Sequence, residues 1–154
     1  MLAPMNPGIS KQERGNGRRS KRVLLLRRDN RQRNLFAGGE KMRSTGLQGP
    51  FALAISSIDS EVTGVSAGTY ALGCSQDDRF HIMYVGRADA DLRARLHAHV
   101  GTYSEFKFAY CPSAKEAFDK ECELFHAFEP PGNKSHPARS DDSGWICPRC
   151  GASG

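Results

Sequence analysis

Between Gly68 and Phe128 the chain switches repeatedly between two hydrophobic periods, and that succession leaves few architectures open. Residues 69–74 are short, apolar and bounded by Gly68, as a strand is. Ser75-Gln76-Asp77-Asp78 is a polar turn. Residues 80–85 read as a second strand that Gly86 ends, so the pair forms an antiparallel hairpin. Residues 91–100 then set Leu92, Leu96 and Val100 on one helical face, with Asp89 or Asp91 as N-cap. Period two returns at 105–111, where Phe106, Phe108 and Tyr110 share a face. Pro112 breaks that strand, and Ser113 with Glu116 forms a capping box. A second helix over 114–128 follows, stopped by Pro130-Pro131-Gly132. Ahead of this unit, residues 50–58 are expected to add a strand or short helix at the domain edge. The prediction is an α+β fold in the order β-β-α-β-α: a small antiparallel sheet flanked by helices.

Charge divides the chain. Residues 1–50 hold twelve Lys/Arg against three Asp/Glu, and the rest holds ten against fourteen. The first 48 residues therefore read as a basic, mostly disordered arm, with room for a short helix over 21–33. Such an arm either tracks nucleic-acid phosphates or is a solvated tail. Met42 offers an alternative start, and the Arg-rich, acid-poor composition is also that of an organelle transit peptide. A folded domain is expected over 49–133 and a loop-like tail over 134–154. The longest apolar run in the arm, Val23-Leu24-Leu25-Leu26, falls short of a membrane span or a signal-peptide core. No membrane association is expected, and a cytoplasmic location is the default. Five cysteines without an export signal argue for thiols or a metal site over a disulfide framework.

Glu121 stands out on periodicity alone. The second helix carries Ala114, Ala117, Phe118, Phe125 and Phe128 on one stripe, and Glu121 falls on it. A carboxylate on a packed face is costly unless it reaches the rim, pairs with an arginine or holds a metal.

The residues Gly68-Thr69-Tyr70, Tyr84-Val85-Gly86, Arg95, Glu121 and Asn133, in that order and spacing, resemble the GIY-YIG nuclease family over residues 67–133. The resemblance implies a metal-dependent endonuclease that hydrolyses DNA phosphodiester bonds. Glu121 would hold one Mg²⁺ or Mn²⁺, and Arg95 would stabilise charge on the phosphate. Tyr70 would deprotonate or orient the attacking water, with Tyr84 in support. Gly86 would let backbone approach the phosphate, and Arg87 and His99 would lie near it. Asn133 would fix the loop beside the metal. Thr69 departs mildly from the family's usual Ile or Val, and one additional residue separates Gly86 from the arginine. A silent nucleic-acid-binding module of the same fold, or a zinc-stabilised interaction protein, are the competing readings.

The tail suggests a second metal. Cys147-Pro148-Arg149-Cys150 is half of a tetrahedral zinc site. Cys122 and His126 are four apart on the second helix, on a face turned roughly 100–140° from Glu121. The expected structural zinc is therefore held by Cys122, His126, Cys147 and Cys150, with His136 in reserve and Cys111 behind it. Trp145 either stacks a base or covers apolar surface beside the CxxC, and the second reading is favoured.

Overall fold

The computed structural model describes residues 44–153. The expected basic arm, except for residues 44–48, and the expected helix over 21–33 lie outside them. Four strands and three helices follow in chain order: β1 (Gln48–Ala52), α1 (Ile55–Glu61), β2 (Gly68–Gln76), β3 (Arg79–Ala88), α2 (Leu92–His97), β4 (Glu105–Tyr110) and α3 (Ala114–Phe128). The strands form one antiparallel sheet in the order β1-β4-β2-β3. The α+β expectation holds. Residues 50–58 contribute to both a strand and a helix, so the alternative posed by sequence is resolved by a boundary at Leu53.

Each face of the sheet has its own apolar layer. Tyr70, Leu72, Phe106 and Phe108 meet Ile58 of α1, its C-cap residue Val62, and Leu92 and Leu96 of α2. On the other face Ala71 and Val85 meet Leu124, with Phe125 and Phe128 beside them. Thr69 is fully buried and its hydroxyl donates to the Ala117 carbonyl of α3 at 3.0 Å. The residue that departs from an Ile or Val pattern thus ties β2 to α3 by a hydrogen bond those residues cannot make.

Two expected boundaries move. Gly86 does not end its strand: β3 continues to Ala88, pairing Gly68 with Ala88 and Tyr70 with Gly86. The reason is steric. A Cβ on Gly86 would stand 2.5 Å from the Tyr70 ring and hydroxyl, so the glycine makes room within a continuous ladder. Helix α2 is shorter than the predicted 91–100. Asp91 caps it as expected, accepting from Ala94 N at 3.1 Å, but after His97 the chain tightens into i→i+3 bonds. His99 therefore lies in the turn beyond α2, and Gly101 follows at φ 88°.

A β-bulge sets which residues reach the site. Leu72 opposes Tyr84 but Gly73 opposes Ile82, so Met83 is the additional residue in β3. The slip puts Tyr84 on the face of Tyr70 and Leu72, and turns Ile82 to the α3 face. A Cβ on Gly73 would collide with the His81 carbonyl, which explains a glycine in mid-strand. The bulge also leaves the Met83 carbonyl to accept from Gly132 N at 2.7 Å.

The chain after α3 docks along the outer edge of β3. Ser113 caps the start of α3, its hydroxyl accepting from Glu116 N, and Glu129 ends it in the left-handed region at φ 44°. Asn133 then completes the edge like a strand residue. Its Oδ1 accepts from Val85 N at 2.8 Å and its Nδ2 donates to Val85 O at 2.9 Å. Asn133→Ala removes both partners of one backbone unit and is expected to destabilise the fold by about 1–3 kcal/mol in urea denaturation.

Candidate functional site

The cavity that gathers the expected site residues has a volume of about 920 Å³ and wraps around the β3 edge. Tyr70, Tyr84, Gly86, Arg87, Arg95, Glu121 and Asn133 all line it. Because β3 is an edge strand, residues from both sheet faces reach one space. Tyr84 comes from the α2 side, and Arg87 from the α3 side. Residues 132–141 form the remaining wall. That wall was not expected, since a loop-like tail carries no periodicity from which to place it.

Tyr70 and His99 form a polar pair on the α2 side. The Tyr70 hydroxyl lies 2.8 Å from His99 Nε2. The two rings and that of Tyr84 pack together, with centroids 5.3 to 6.3 Å apart. Burial, and then the Arg95 charge, lower the His99 pKa below its usual 6.5. His99 is neutral at pH 7, so with its proton on Nδ1 the Tyr70 hydroxyl donates to Nε2. Burial raises the Tyr70 pKa well above 10, and the nearby Arg95 guanidinium works against that rise. Sequence placed His99 on a helix face beside Arg95 but gave no reason to pair it with Tyr70. That pairing is made by packing between β2 and the turn after α2.

Arg95 forms no ion pair with a carboxylate among the described residues. Its interaction with the Tyr70 hydroxyl is the main cause of its own raised pKa. Arg95 and the exposed Arg139 are the cavity-lining guanidiniums without a carboxylate partner among the described residues.

Arg87 is committed instead. Its Nη1 donates to Glu121 Oε2 and to the Ala138 carbonyl, each at 2.7 Å, and its Nε donates to Asp89 at 2.7 Å. Its guanidinium also lies over the Phe118 ring, 5.2 Å from the centroid. The expected placement near a phosphate is met only in that Arg87 lines the cavity. Its hydrogen bonds go to protein.

Glu121 is buried at 7% exposure, where the helical stripe put it. Burial raises its pKa and Arg87 opposes the rise. Arg87 engages Oε2, while Oε1 accepts no hydrogen bond among the described residues and is left to the cavity. One free carboxylate oxygen with room for water suits a hard divalent cation such as Mg²⁺ or Mn²⁺. The lining as a whole is mixed: Arg87, Arg95, Lys134 and Arg139 face Asp89, Asp91, Glu121 and Asp141. Anion binding here depends on where Arg95 stands, since the net field is weak.

A second cluster lies where the tail meets α3. The ligand atoms of His126, His136, Cys147 and Cys150 all fall within 4.8 Å of one another. This differs from the expected set at one position, because His136 replaces Cys122. Cys122 is fully buried in an apolar group with Phe118, Cys147 and Trp145. Burial, with the Cys147 thiol beside it, raises its pKa strongly. The two residues share a helix face but stand one turn apart, about 6 Å along the axis: His126 reaches the cluster while Cys122 packs inward. Trp145 packs on Phe118 at 5.6 Å between centroids, covering apolar surface as favoured.

Replacing Arg87 by Met isolates the buried Glu121 charge. We expect a loss of stability at pH 7 of at most about 3–5 kcal/mol, since the cavity admits solvent. Without Arg87 the Glu121 pKa in the folded state rises further above its unfolded value. The penalty is then largest above that folded pKa and shrinks as pH falls through it. Urea denaturation of both proteins at pH 7 and pH 5 measures this.

In comparisons with known proteins, no family model, curated protein or solved structure matches the chain.

Proposed function

We propose that the chain is an endonuclease-like phosphodiesterase that acts on DNA, with one Mg²⁺ or Mn²⁺ held at Glu121. The observation that carries the reading is the 2.8 Å Tyr70–His99 hydrogen bond: Tyr70 lines a cavity shared with Arg95 and the free oxygen of Glu121, and His99 stands behind Tyr70, outside that lining. When bound, such an ion offsets charge on the scissile phosphate and its leaving oxygen.

The roles of the side chains follow from their protonation. Tyr70 cannot stand as a phenolate at neutral pH, because burial holds its proton on. It can pass a proton. Neutral His99 accepts the Tyr70 proton at Nε2 as Tyr70 takes one from the attacking water. Arg95 stabilises the phenolate character that develops on Tyr70 and the charge that builds on the phosphate. Tyr84 packs the Tyr70 and His99 rings in place. Gly86 gives the Tyr70 ring its space, and Asn133 fixes the loop that closes the cavity.

One observation favours a second reading, a silent nucleic-acid-binding module. The Arg87–Glu121 ion pair already balances the carboxylate without a metal. The two readings part on cleavage. Supercoiled plasmid and branched DNA, incubated with the protein and Mg²⁺ or Mn²⁺, are expected to be cut, and Glu121→Ala to abolish cutting. Tyr70→Phe and His99→Ala are each expected to slow it by about 10²–10⁴-fold, and Arg95→Ala by about 10²–10³-fold. A folded protein that binds DNA but cuts neither substrate with either ion establishes the silent module.

The pH profile gives an independent check. His99 must be neutral to accept a proton, and its pKa is lowered, so the rate should hold through pH 6.5 and fall only at lower pH. Cleavage rates measured from pH 5 to 8 test this, and an acid limb centred above 6.5 argues against His99 as the acceptor.

A further inference from the structure

We propose that His126, His136, Cys147 and Cys150 bind one zinc ion, and that this ion fastens the wall of residues 132–141 to the domain. The site stands on geometry independent of the nuclease reading. Zinc bonds of about 2.3 Å to sulfur and 2.0–2.1 Å to nitrogen, at tetrahedral angles, put a ligand sulfur and nitrogen roughly 3.6 Å apart. Cys147 Sγ lies 3.4 Å from His126 Nε2, and Cys150 Sγ lies 3.6 Å from His136 Nε2. Both are edges of the tetrahedron that zinc requires.

The surroundings of these four atoms are those of a metal site. His136 Nδ1 lies 3.0 Å from the Pro137 carbonyl. Donation there puts the ring proton on Nδ1 and leaves the Nε2 lone pair for a ligand bond. Arg149 N donates to Cys147 Sγ at 3.4 Å, which stabilises a thiolate. Gly151 N donates back to the Cys147 carbonyl at 2.9 Å, and Gly151 sits at φ 74°. That tight turn brings both cysteines of the CxxC to one point, and glycine adopts it without strain. The Phe125 ring meets both histidines edge-on, with centroids 5.4 and 5.5 Å away, and limits their rotation.

The four ligands come from three separated stretches: α3, the segment after Asn133, and the CxxC. His136 lies inside the cavity wall itself. Two residues later the Ala138 carbonyl accepts from Arg87, and Ser140 donates to Asp89 at 2.9 Å. Zinc at His136 would therefore fix the middle of a segment whose start is tied to β3 through Gly132 and Asn133 and whose far end is held by polar bonds at Ala138 and Ser140. This functional consequence rests on the nuclease reading; the metal site does not.

The experiment is metal analysis of the full chain purified without chelator, with Cys150→Ser, His136→Ala and Cys122→Ala in parallel. Cys150 is exposed and His136 half-buried, so both substitutions leave the core intact. One equivalent of zinc in the wild type, lost in Cys150→Ser and His136→Ala and kept in Cys122→Ala, is the expected result. Because Cys122→Ala opens a cavity, cobalt replacement in the wild type provides a second reading of the ligands. Visible bands of tetrahedral cobalt with two sulfur ligands support the assignment. A three-sulfur spectrum, or zinc retained without His136, overturns the ligand set. A folded wild-type protein that holds no zinc, or that carries a Cys147–Cys150 disulfide, overturns the site. Limited proteolysis before and after chelation reads the wall directly: cleavage within residues 134–144 should appear only after chelation. If zinc binds and DNA is not cut, the metal site stands and the nuclease reading falls.

Discussion

The Arg87 guanidinium is the point at which the parts of this structure depend on one another. It sits at the next-to-last position of the edge strand β3, and its donors reach α3 at Glu121, the following loop at Asp89 and the tail at Ala138. An arginine does this where a lysine would not, because five donors in a rigid plane can serve three acceptors at once. The arrangement also decides how Glu121 is tolerated. A carboxylate on the packed face of α3 is costly in isolation. Arg87 balances it through one oxygen and leaves the other to the cavity. The same pair thus stabilises the helix against the sheet and holds open a position where a cation can bind. The charge that makes the burial tolerable would also lower the affinity of that oxygen for a cation.

Around Tyr70 the constraint is shape. The ring is fully buried between β3, β4 and the turn after α2, and only a glycine opposite it leaves enough room. Burial has two effects on the hydroxyl. It removes the option of a free phenolate and commits the proton to a partner, which is His99. The hydroxyl stands between a neutral acceptor, His99, and a cation, Arg95, which is the setting the proposed proton transfer requires.

What the sequence disclosed, and what it withheld, follow from the range of the interactions involved. The α3 stripe is a local property of spacing, so its bounds at Ala114 and Phe128 and the burial of Glu121 could be read directly. Gly86 was misread as a strand end, because a glycine in mid-strand has meaning only once the residue across the ladder is known. The bulge at Gly73 is similar. It inverts the alternation of β3, so strict period two places Ile82 and Tyr84 on one face when they lie on opposite ones. The Arg87–Glu121 and Tyr70–His99 pairs span 34 and 29 residues. No periodicity encodes such distances, and the pairs appear only when the layers pack.

The tail shows the same limit and something further. Helical spacing correctly put Cys122 and His126 within one turn of each other, and both do lie near the CxxC. Spacing could not say which would face it. Cys122 lies beside Phe118 and is drawn into the apolar layer under Trp145, where a small thiol packs as a hydrophobe. His126, one turn later, stays half-exposed and reaches the cluster with its ring nitrogen. The vacancy this leaves in a tetrahedral set is filled by His136, from the segment that walls the cavity. That exchange changes what the ion would do. A zinc on Cys122 would pin the last residues to α3 alone. A zinc on His136 would span α3, the cavity wall and the chain end together, adding a tie to a wall that Gly132, Asn133, Ala138 and Ser140 already hold by hydrogen bonds.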